Sequence, residues 1–325
     1  MKKKISVVVP CLNGADFLPR CIESLLAQTF NELEIIIVND GSTDETGEIS
    51  KKYADEYSNI TVLTKKNEGL PQARRSGLEI VNTPYVGFVD SDDWVEKNMF
   101  QMLFEQIENN NADVSCGGFF LDWTRRSETV RQCFETGTVL DKGEAVSHLH
   151  RRDAIHPYLW NKLYRIELFQ KVNFPKGNFI GEDYATIIQV LERVQKIAIV
   201  QDPVYHYVQT HASMSRSGFC SNHVNAYQKY CENRRQMEKK YPECRAEIQN
   251  YMETEFLSFI VAMSRNKNYD KQIAKEITLF VRKNLMQYLS SSYIEGKFKV
   301  SALACAISYK VLAVLYSFDL WRSRQ

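Results

Sequence analysis

The sequence predicts an α/β fold, a mainly parallel sheet flanked by helices, with a helical C-terminal region. Three observations carry this expectation. The first 110 residues alternate short β-branched runs with stretches of helical spacing. The first two of those runs are almost wholly apolar, as strands covered on both faces are. The last hundred residues hold few Gly or Pro and read as helix.

The elements follow in order. Ile5–Val9 is the first strand. A helix from about Asp16 to Gln28 places Phe17, Cys21, Leu25 and Leu26 at helical spacing. Glu34–Val38 is a second buried strand. Ser42-Thr43-Asp44-Glu45 reads as a capping box, with Ser42 as N-cap, opening a helix to about Tyr57. Asn59–Thr64 is a third strand. The helix from Pro71 to about Val81 has Pro in its first turn, where its missing N–H costs nothing. Tyr85–Val89 is a fourth strand, and Trp94–Asn109 a fourth helix. This alternation implies a parallel sheet with helices on both faces. Ligands of such sheets bind beyond the carboxyl ends of the strands. Residues 116 to about 219 mix short strands and short helices.

Charge and cysteine usage narrow the class. Met1–Ser115 carries 11 basic residues against 19 acidic; the remainder carries 30 against 21. A chain so divided is neither a basic nucleic-acid coat nor an acidic solvating chain. The eight cysteines form no C-x-x-C pair, which excludes the usual zinc spacings and points to reduced thiols in the cytoplasm. The basic start and apolar run of MKKKISVVVP resemble a signal peptide, but the run ends after five residues at Pro10 and reads as a strand.

Three polar sets follow the strands: Pro10-Cys11-Leu12-Asn13-Gly14, Asn39-Asp40-Gly41-Ser42 and Asp90-Ser91-Asp92-Asp93. Three acids in four residues repel one another unless a cation shares them. Oxygen ligands on a short turn suit Mg²⁺ or Mn²⁺. The alternative is a capped helix start before Trp94. Lys65, Lys66, Arg74 and Arg75 gather around Asn67-Glu68-Gly69, either as anion partners or as a solvated face. There is no G-x-G-x-x-G and no P-loop Lys, which disfavours dinucleotide hydride transfer and P-loop hydrolysis.

At this point a family resemblance emerges. The stretch VVVPCLNGADFLPRCIESLLAQTF, then EIIIVNDGSTDET, then NEGLPQARRSGLEIVNTPYVGFVDSDDW resembles the donor half of family 2 glycosyltransferases, over residues 1 to about 110. The resemblance implies the type A glycosyltransferase (GT-A) fold with a nucleotide-binding sheet. It also implies an inverting enzyme of surface-polysaccharide type, using a nucleotide sugar, usually a UDP-sugar, with Mg²⁺ or Mn²⁺. It implies a donor-binding half over 1–115, an acceptor and catalytic-base half of the same domain over 116–220, and a helical region over 221–325.

Carried over residue by residue, Pro10 and Asn13 line the nucleotide pocket and Asp40 meets the uracil edge. Asn67, Gly69 and Arg74 support nucleotide and metal. Asp90, with Ser91 beside it, lies toward the ribose; Asp92 holds the metal with Asp90; Asp93 stands behind them. The chain has Asn39 where the family often has Asp, and Arg75 where it usually has Asn. In Gly181-Glu182-Asp183-Tyr184, Asp183 matches the family's general base and Glu182 orients base or acceptor. By its residues alone this is an acidic helix start. Trp160, in Trp160-Asn161-Lys162-Leu163-Tyr164, faces the acceptor sugar or packs in the core. His211 and Ser213 match an H-x-S loop that touches phosphate or metal, with Arg216 a further cation.

The tail Val300–Trp321 is long enough to span a bilayer, but Lys310 sits at its centre. An interfacial helix, a soluble packing helix and a membrane span all remain open. An acceptor that is a saccharide or lipid-linked, and peripheral membrane contact, follow as expectations; nucleic acid does not. A sugar-phosphate nucleotidyltransferase is the alternative enzyme, although the expected Gly-rich start is absent. An inactive carbohydrate-binding relative is the non-enzyme alternative.

Overall fold

The computed structural model describes residues 2–123, 126–130, 134–177, 180–209, 219–266 and 270–317. The chain divides into two compact units, one of residues 1–145 and 154–210, the other of residues 146–153 and 211–325.

The first unit is built on one ten-stranded sheet. Strands β1 (Ile5–Cys11), β2 (Leu33–Asn39), β3 (Ile60–Thr64) and β4 (Tyr85–Phe88) run parallel in the order 3-2-1-4. All seven residues of β1 are buried, as a strand covered on both faces requires. Helices α1 (Leu18–Leu26), α2 (Thr46–Glu56) and α3 (Leu70–Leu78) make the connections. Helix α1 buries Leu18, Cys21, Ile22 and Leu25, each contributing roughly 1.5–3 kcal/mol if apolar burial is complete. Helix α3 lies so close to the sheet that a Cβ on Gly77 would sit 2.4 Å from a Val8 methyl.

Beyond β4 the sheet is mixed. Strand β9 (Lys162–Arg165) enters antiparallel between β4 and β6 (Val114–Trp123). Strand β10 (Lys196–Val208) runs parallel to β6. The short β5 (Trp94–Val95), β7 (Arg126–Val130) and β8 (Val139–Asp141) pair antiparallel with β10, β6 and β10. The first four strands are thus all parallel, and beyond them one parallel pair, β6 with β10, stands among antiparallel ones. Helix α4 spans Met99–Asn110, α5 Lys142–Arg151 and α6 Glu182–Leu191.

Two local expectations are corrected. Trp94 opens strand β5, not a helix, because His206 and Tyr205 of β10 pair with Trp94 and Val95; α4 starts only at Met99. The capping box at Ser42 and Glu45 does not form. The N-cap of α2 is Glu45, which makes no side-chain cap bond; Asp44 Oδ1, one residue earlier, accepts from the Thr46 N–H at 3.1 Å where the helix begins. Ser42 is drawn away to accept a hydrogen bond from the Asn13 N–H.

The second unit is helical: α7 (Ser221–Lys240), α8 (Arg245–Asn266), α9 (Lys271–Ser290), α10 (Gly296–Ile307) and α11 (Tyr309–Ser317). Asp270 caps α9, accepting from the Gln272 and Ile273 N–H groups at 3.0 Å each. The tail is not one helix. Ser308 is extended, and its hydroxyl accepts from the Lys310 N–H at 3.2 Å, so α10 ends and α11 begins there. No helix of the described residues is long and apolar enough to cross a membrane. Trp321 lies outside the described residues.

Glu253 of α8 is fully buried, and among the described residues neither carboxyl oxygen has a hydrogen-bond partner. Burial alone raises its pKa from 4.5 to about 8. The folded state therefore holds a proton that the unfolded chain has released. Stability is greatest below the unfolded value and falls as pH rises toward the folded one, by about 1.4 kcal/mol per pH unit at most. Glu253→Gln should flatten this slope, with a higher urea midpoint than the parent at pH 9 and little gain at pH 5.

Candidate active site

The site is assembled at the carboxyl ends of β1, β2 and β4, where the parallel half of the sheet opens. Pro10 is buried in β1. The Val8 carbonyl accepts from Val89 N–H on the β4 side, and Pro10, two residues on, faces the same way. The β1–β4 pairing stops at Val8 and Phe88, so the missing N–H of Pro10 leaves no ladder bond unmade. Asn13 takes a left-handed turn, φ 51°. Its Oδ1 accepts from the Thr43 N–H at 2.9 Å and its own N–H donates to Ser42 Oγ at 3.0 Å, which laces the loops after β1 and β2 together.

Asp40, at the end of β2, is 2% exposed. Its carboxylate accepts from the Gly69 N–H at 2.9 Å and the Glu68 N–H at 3.2 Å, with Lys65 Nζ 3.7 Å away. The carboxylate expected at the base edge is thus engaged in ordering the loop Asn67–Gly69. Asn67 Oδ1 also accepts from the same Gly69 N–H at 3.1 Å. Gly69, φ 92°, is the N-cap of α3 and can be no other residue without strain.

Helix α3 carries Arg74, 1% exposed. Its guanidinium donates to Asp90 Oδ1 at 2.7 Å and Asp183 Oδ1 at 2.6 Å, with Glu182 Oε1 at 3.6 Å. Burial opposes its charge, but Asp183, Asp90 and Glu182 together outweigh burial and raise its pKa. One side chain therefore joins the turn after β4 to the first turn of α6.

The turn Asp90–Asp93 is held from several sides. Tyr205 of β10 donates its hydroxyl to Asp93 Oδ2 at 2.6 Å and accepts from the Asp90 N–H at 3.1 Å. Asp93 Oδ1 accepts from the Val208 N–H at 2.8 Å. Asp93 is fully buried, and burial, then Asp92 and Asp90, push its pKa well up. Arg20 of α1 donates to the Asp92 carbonyl at 2.8 Å. Burial raises the pKa of the Cys11 thiol, and Ser91 beside it offsets part of that rise. The Asp92 carboxyl is raised to about 6, first by burial and then by Asp90.

These residues suit a hard divalent cation. Among the described residues no three His, Cys, Asp or Glu side chains form a metal cage. Asp90 and Asp92 are two carboxylates, and Mg²⁺ is commonly held by one or two carboxylates with substrate phosphates completing its shell. Burial is the larger cause of the raised Asp92 pKa and Asp90 the next, with Arg20 and Arg74 offsetting part of the rise.

Glu182 and Asp183 open α6 after Gly181, whose φ is 81°. Burial raises both carboxyls, Glu182 to about 8. Arg74 and a backbone hydrogen bond from Leu159 work the other way on Asp183. Proximity to Arg74 keeps Asp183 the more readily ionised of the two, while Glu182 holds a proton near neutral pH.

Trp160 is 2% exposed. Its ring stacks on Tyr205 at 4.2 Å and Tyr158 at 4.6 Å, and meets Phe119 edge-on at 5.1 Å. Both ring faces are covered, so the acceptor-facing position expected for Trp160 is corrected to a core position. His211, Ser213 and Arg216 lie outside the described residues.

Three contributors were given no role by the sequence. Tyr205 has only the alternation Tyr205-His206-Tyr207 as a signal, while Arg20 and Lys162 lie unassigned inside quoted stretches. Lys162 is fully buried and donates to the His156 and Tyr158 carbonyls and to Asn161 Oδ1 at 2.9, 2.7 and 2.6 Å. It fixes the segment from which Leu159 reaches Asp183; burial lowers its pKa.

Comparison with known proteins sets this site in context. The sequence model of glycosyl transferase family 2 matches residues 6–178. The chain is 35% identical over 216 residues to the uncharacterized glycosyltransferase EpsJ of Bacillus subtilis, covering 65% of this chain and 62% of that one. It is 32% identical over 222 residues to glycosyltransferase GlyA of Streptococcus pneumoniae, covering 66% of this chain and 32% of that one. The match therefore spans less than two thirds of either relative. The crystal structure of S. aureus TarS 1–349 in complex with UDP-GlcNAc shares the fold, with a TM-score of 0.70, 18% identity and coverage of 99% of this chain and 92% of that one.

Proposed function

The chain belongs to glycosyl transferase family 2, and on that premise we propose that it transfers a sugar, with inversion, from a UDP-sugar to a hydroxyl of a saccharide or lipid-linked acceptor in the making of a surface polysaccharide. The observation that carries this reading is the Arg74 bridge, which places Asp90 and Asp183 on one guanidinium, 2.7 and 2.6 Å from its nitrogens. A donor-side carboxylate and a candidate base are thereby held in one site.

In this reading Asp183 accepts the proton of the acceptor hydroxyl as that oxygen attacks the anomeric carbon. An alcohol is a weak nucleophile until a base takes its proton. A base whose pKa burial raises is better matched to that task than an exposed aspartate. Glu182, protonated near pH 7, can donate a hydrogen bond to an acceptor oxygen. Asp90 and Asp92 would hold Mg²⁺ or Mn²⁺, whose chemistry when bound is to neutralise charge on the departing nucleoside diphosphate. The bonds from Thr43 N–H to Asn13 and from Gly69 N–H to Asn67 would hold in shape the loops that flank the nucleotide. That a fold relative binds UDP-GlcNAc supports the uridine assignment.

Calorimetry with UDP tests the donor side. The parent should bind UDP at least about tenfold more tightly with Mn²⁺ than with EDTA, and Asp92→Asn should lose that gain. Equal UDP affinity of parent and Asp92→Asn with Mn²⁺ would remove Asp92 from the cation site.

A further inference from the structure

Among the described residues the second unit exposes seven large hydrophobic side chains. On α9, Leu279 and Met286 are 63% and 78% exposed; on α10, Val300, Leu303 and Ile307 are 52%, 46% and 68% exposed. These positions are one ridge. Arg282 of α9 donates to the Ala306 and Ile307 carbonyls of α10 at 2.6 and 2.8 Å. Leu279 and Met286 lie about one turn to either side of Arg282, and Leu303 lies one turn before Ile307. On α11, Val311 and Val314 are 36% and 52% exposed.

The surroundings of the ridge are basic. Residues 271–317 hold seven Lys or Arg against two acids, Glu276 and Glu295. Lys275 and Lys283 stand four residues either side of Leu279, Lys299 one turn before Leu303, and Lys310 beside Val311. The side chains of Lys275, Lys283 and Lys310 are exposed and form no ion pair with a described residue. Exposed aliphatic ridges on soluble surfaces mark an interaction site. A helix face that joins apolar side chains to flanking bases is suited to the headgroup region of an anionic bilayer. A second copy of the chain is a poorer occupant, since two such faces would bring like charge together. The helices are too short to cross, and the break at Ser308 divides the apolar tail into two short pieces.

We propose that the α9–α10 ridge seats the protein on an anionic membrane surface, with Leu279, Met286, Leu303 and Ile307 entering the headgroup region and Lys275, Lys283, Lys299 and Lys310 meeting lipid phosphates. The inference stands on the second unit alone and does not depend on the reaction assigned above.

Flotation of the full chain with vesicles tests it. Vesicles of phosphatidylcholine with about one third phosphatidylglycerol should bind at least about tenfold more protein than pure phosphatidylcholine, less at high salt. Leu303→Glu with Ile307→Glu, both at exposed positions, should lose about tenfold in binding, and so should Lys275→Glu with Lys283→Glu, while circular dichroism stays unchanged. The proposal is overturned if the parent does not float with anionic vesicles, or if both double variants bind as the parent does. It is also overturned if the parent sediments as a dimer that Leu303→Glu with Ile307→Glu dissociates, for the ridge is then a contact between copies.

Discussion

Asp183→Asn should leave the protein folded and lower sugar transfer by about 10²–10⁴-fold, the range of a lost general base. The amide is isosteric, and its oxygen can still accept from Arg74, which now bonds Asp183 Oδ1 at 2.6 Å. What disappears is the capacity to take a proton. UDP affinity with Mn²⁺ should change little, so the loss should fall on kcat. The pH profile offers a second readout. Burial raises the Asp183 pKa above 3.8, so the parent's transfer should fall on acidification at a pH higher than an exposed aspartate would give. Transfer by Asp183→Asn near the parent's rate would assign the base elsewhere.

Arg74→Met should act on stability as well as on transfer. Arg74 is 1% exposed and faces Asp90, Glu182 and Asp183, whose side chains are 21%, 15% and 16% exposed. Removing one partner of a buried charge cluster typically costs about 3–5 kcal/mol, because the remaining charges lose their compensation. The urea midpoint should drop accordingly. Without the cation both α6 carboxyls would titrate still higher, so the folded variant would hold protons that its unfolded chain releases. The destabilisation should therefore be smaller at pH 5 than at pH 8. Arg74→Lys should recover part of the stability and little of the transfer, since a single ammonium does not reproduce the planar fork that reaches Asp90 and Asp183 from separate nitrogens. A variant with unchanged midpoint and rate would show that the bridge is incidental.

How far the sequence discloses this protein follows from how local each signal is. The four parallel strands were legible because each is a short run, largely apolar or β-branched, set off by polar residues and alternating with stretches of helical spacing. The polar strand ends were legible for the same reason: Asn13, Asp40 and Asp90 follow directly on apolar runs. What the sequence hid depends on partners far along the chain. Trp94 reads as the start of a helix until β10, more than a hundred residues later, pairs with it. Strand β9 enters between β4 and β6 by a connection that no periodicity announces. Ser42 looked like a helix cap until Asn13 proved to be the donor to its hydroxyl. Trp160 could be ligand-facing or core by composition alone, and only Tyr158 and Tyr205 on its two faces decide for core. The Arg74 bridge was visible in its members but not in its geometry, since Arg74 and Asp183 are 109 residues apart.

The central claim is that the strand ends around Asp40, Asp90 and Asp92, joined through Arg74 to Asp183, form a site for a nucleotide-activated sugar. Its most direct test is release of nucleoside diphosphate by the purified chain with Mn²⁺ across a panel of UDP-, GDP- and dTDP-sugars. At least one UDP-sugar should be consumed, with consumption lost in EDTA. Consumption of GDP- or dTDP-sugars alone, or of none of the panel, would contradict the account.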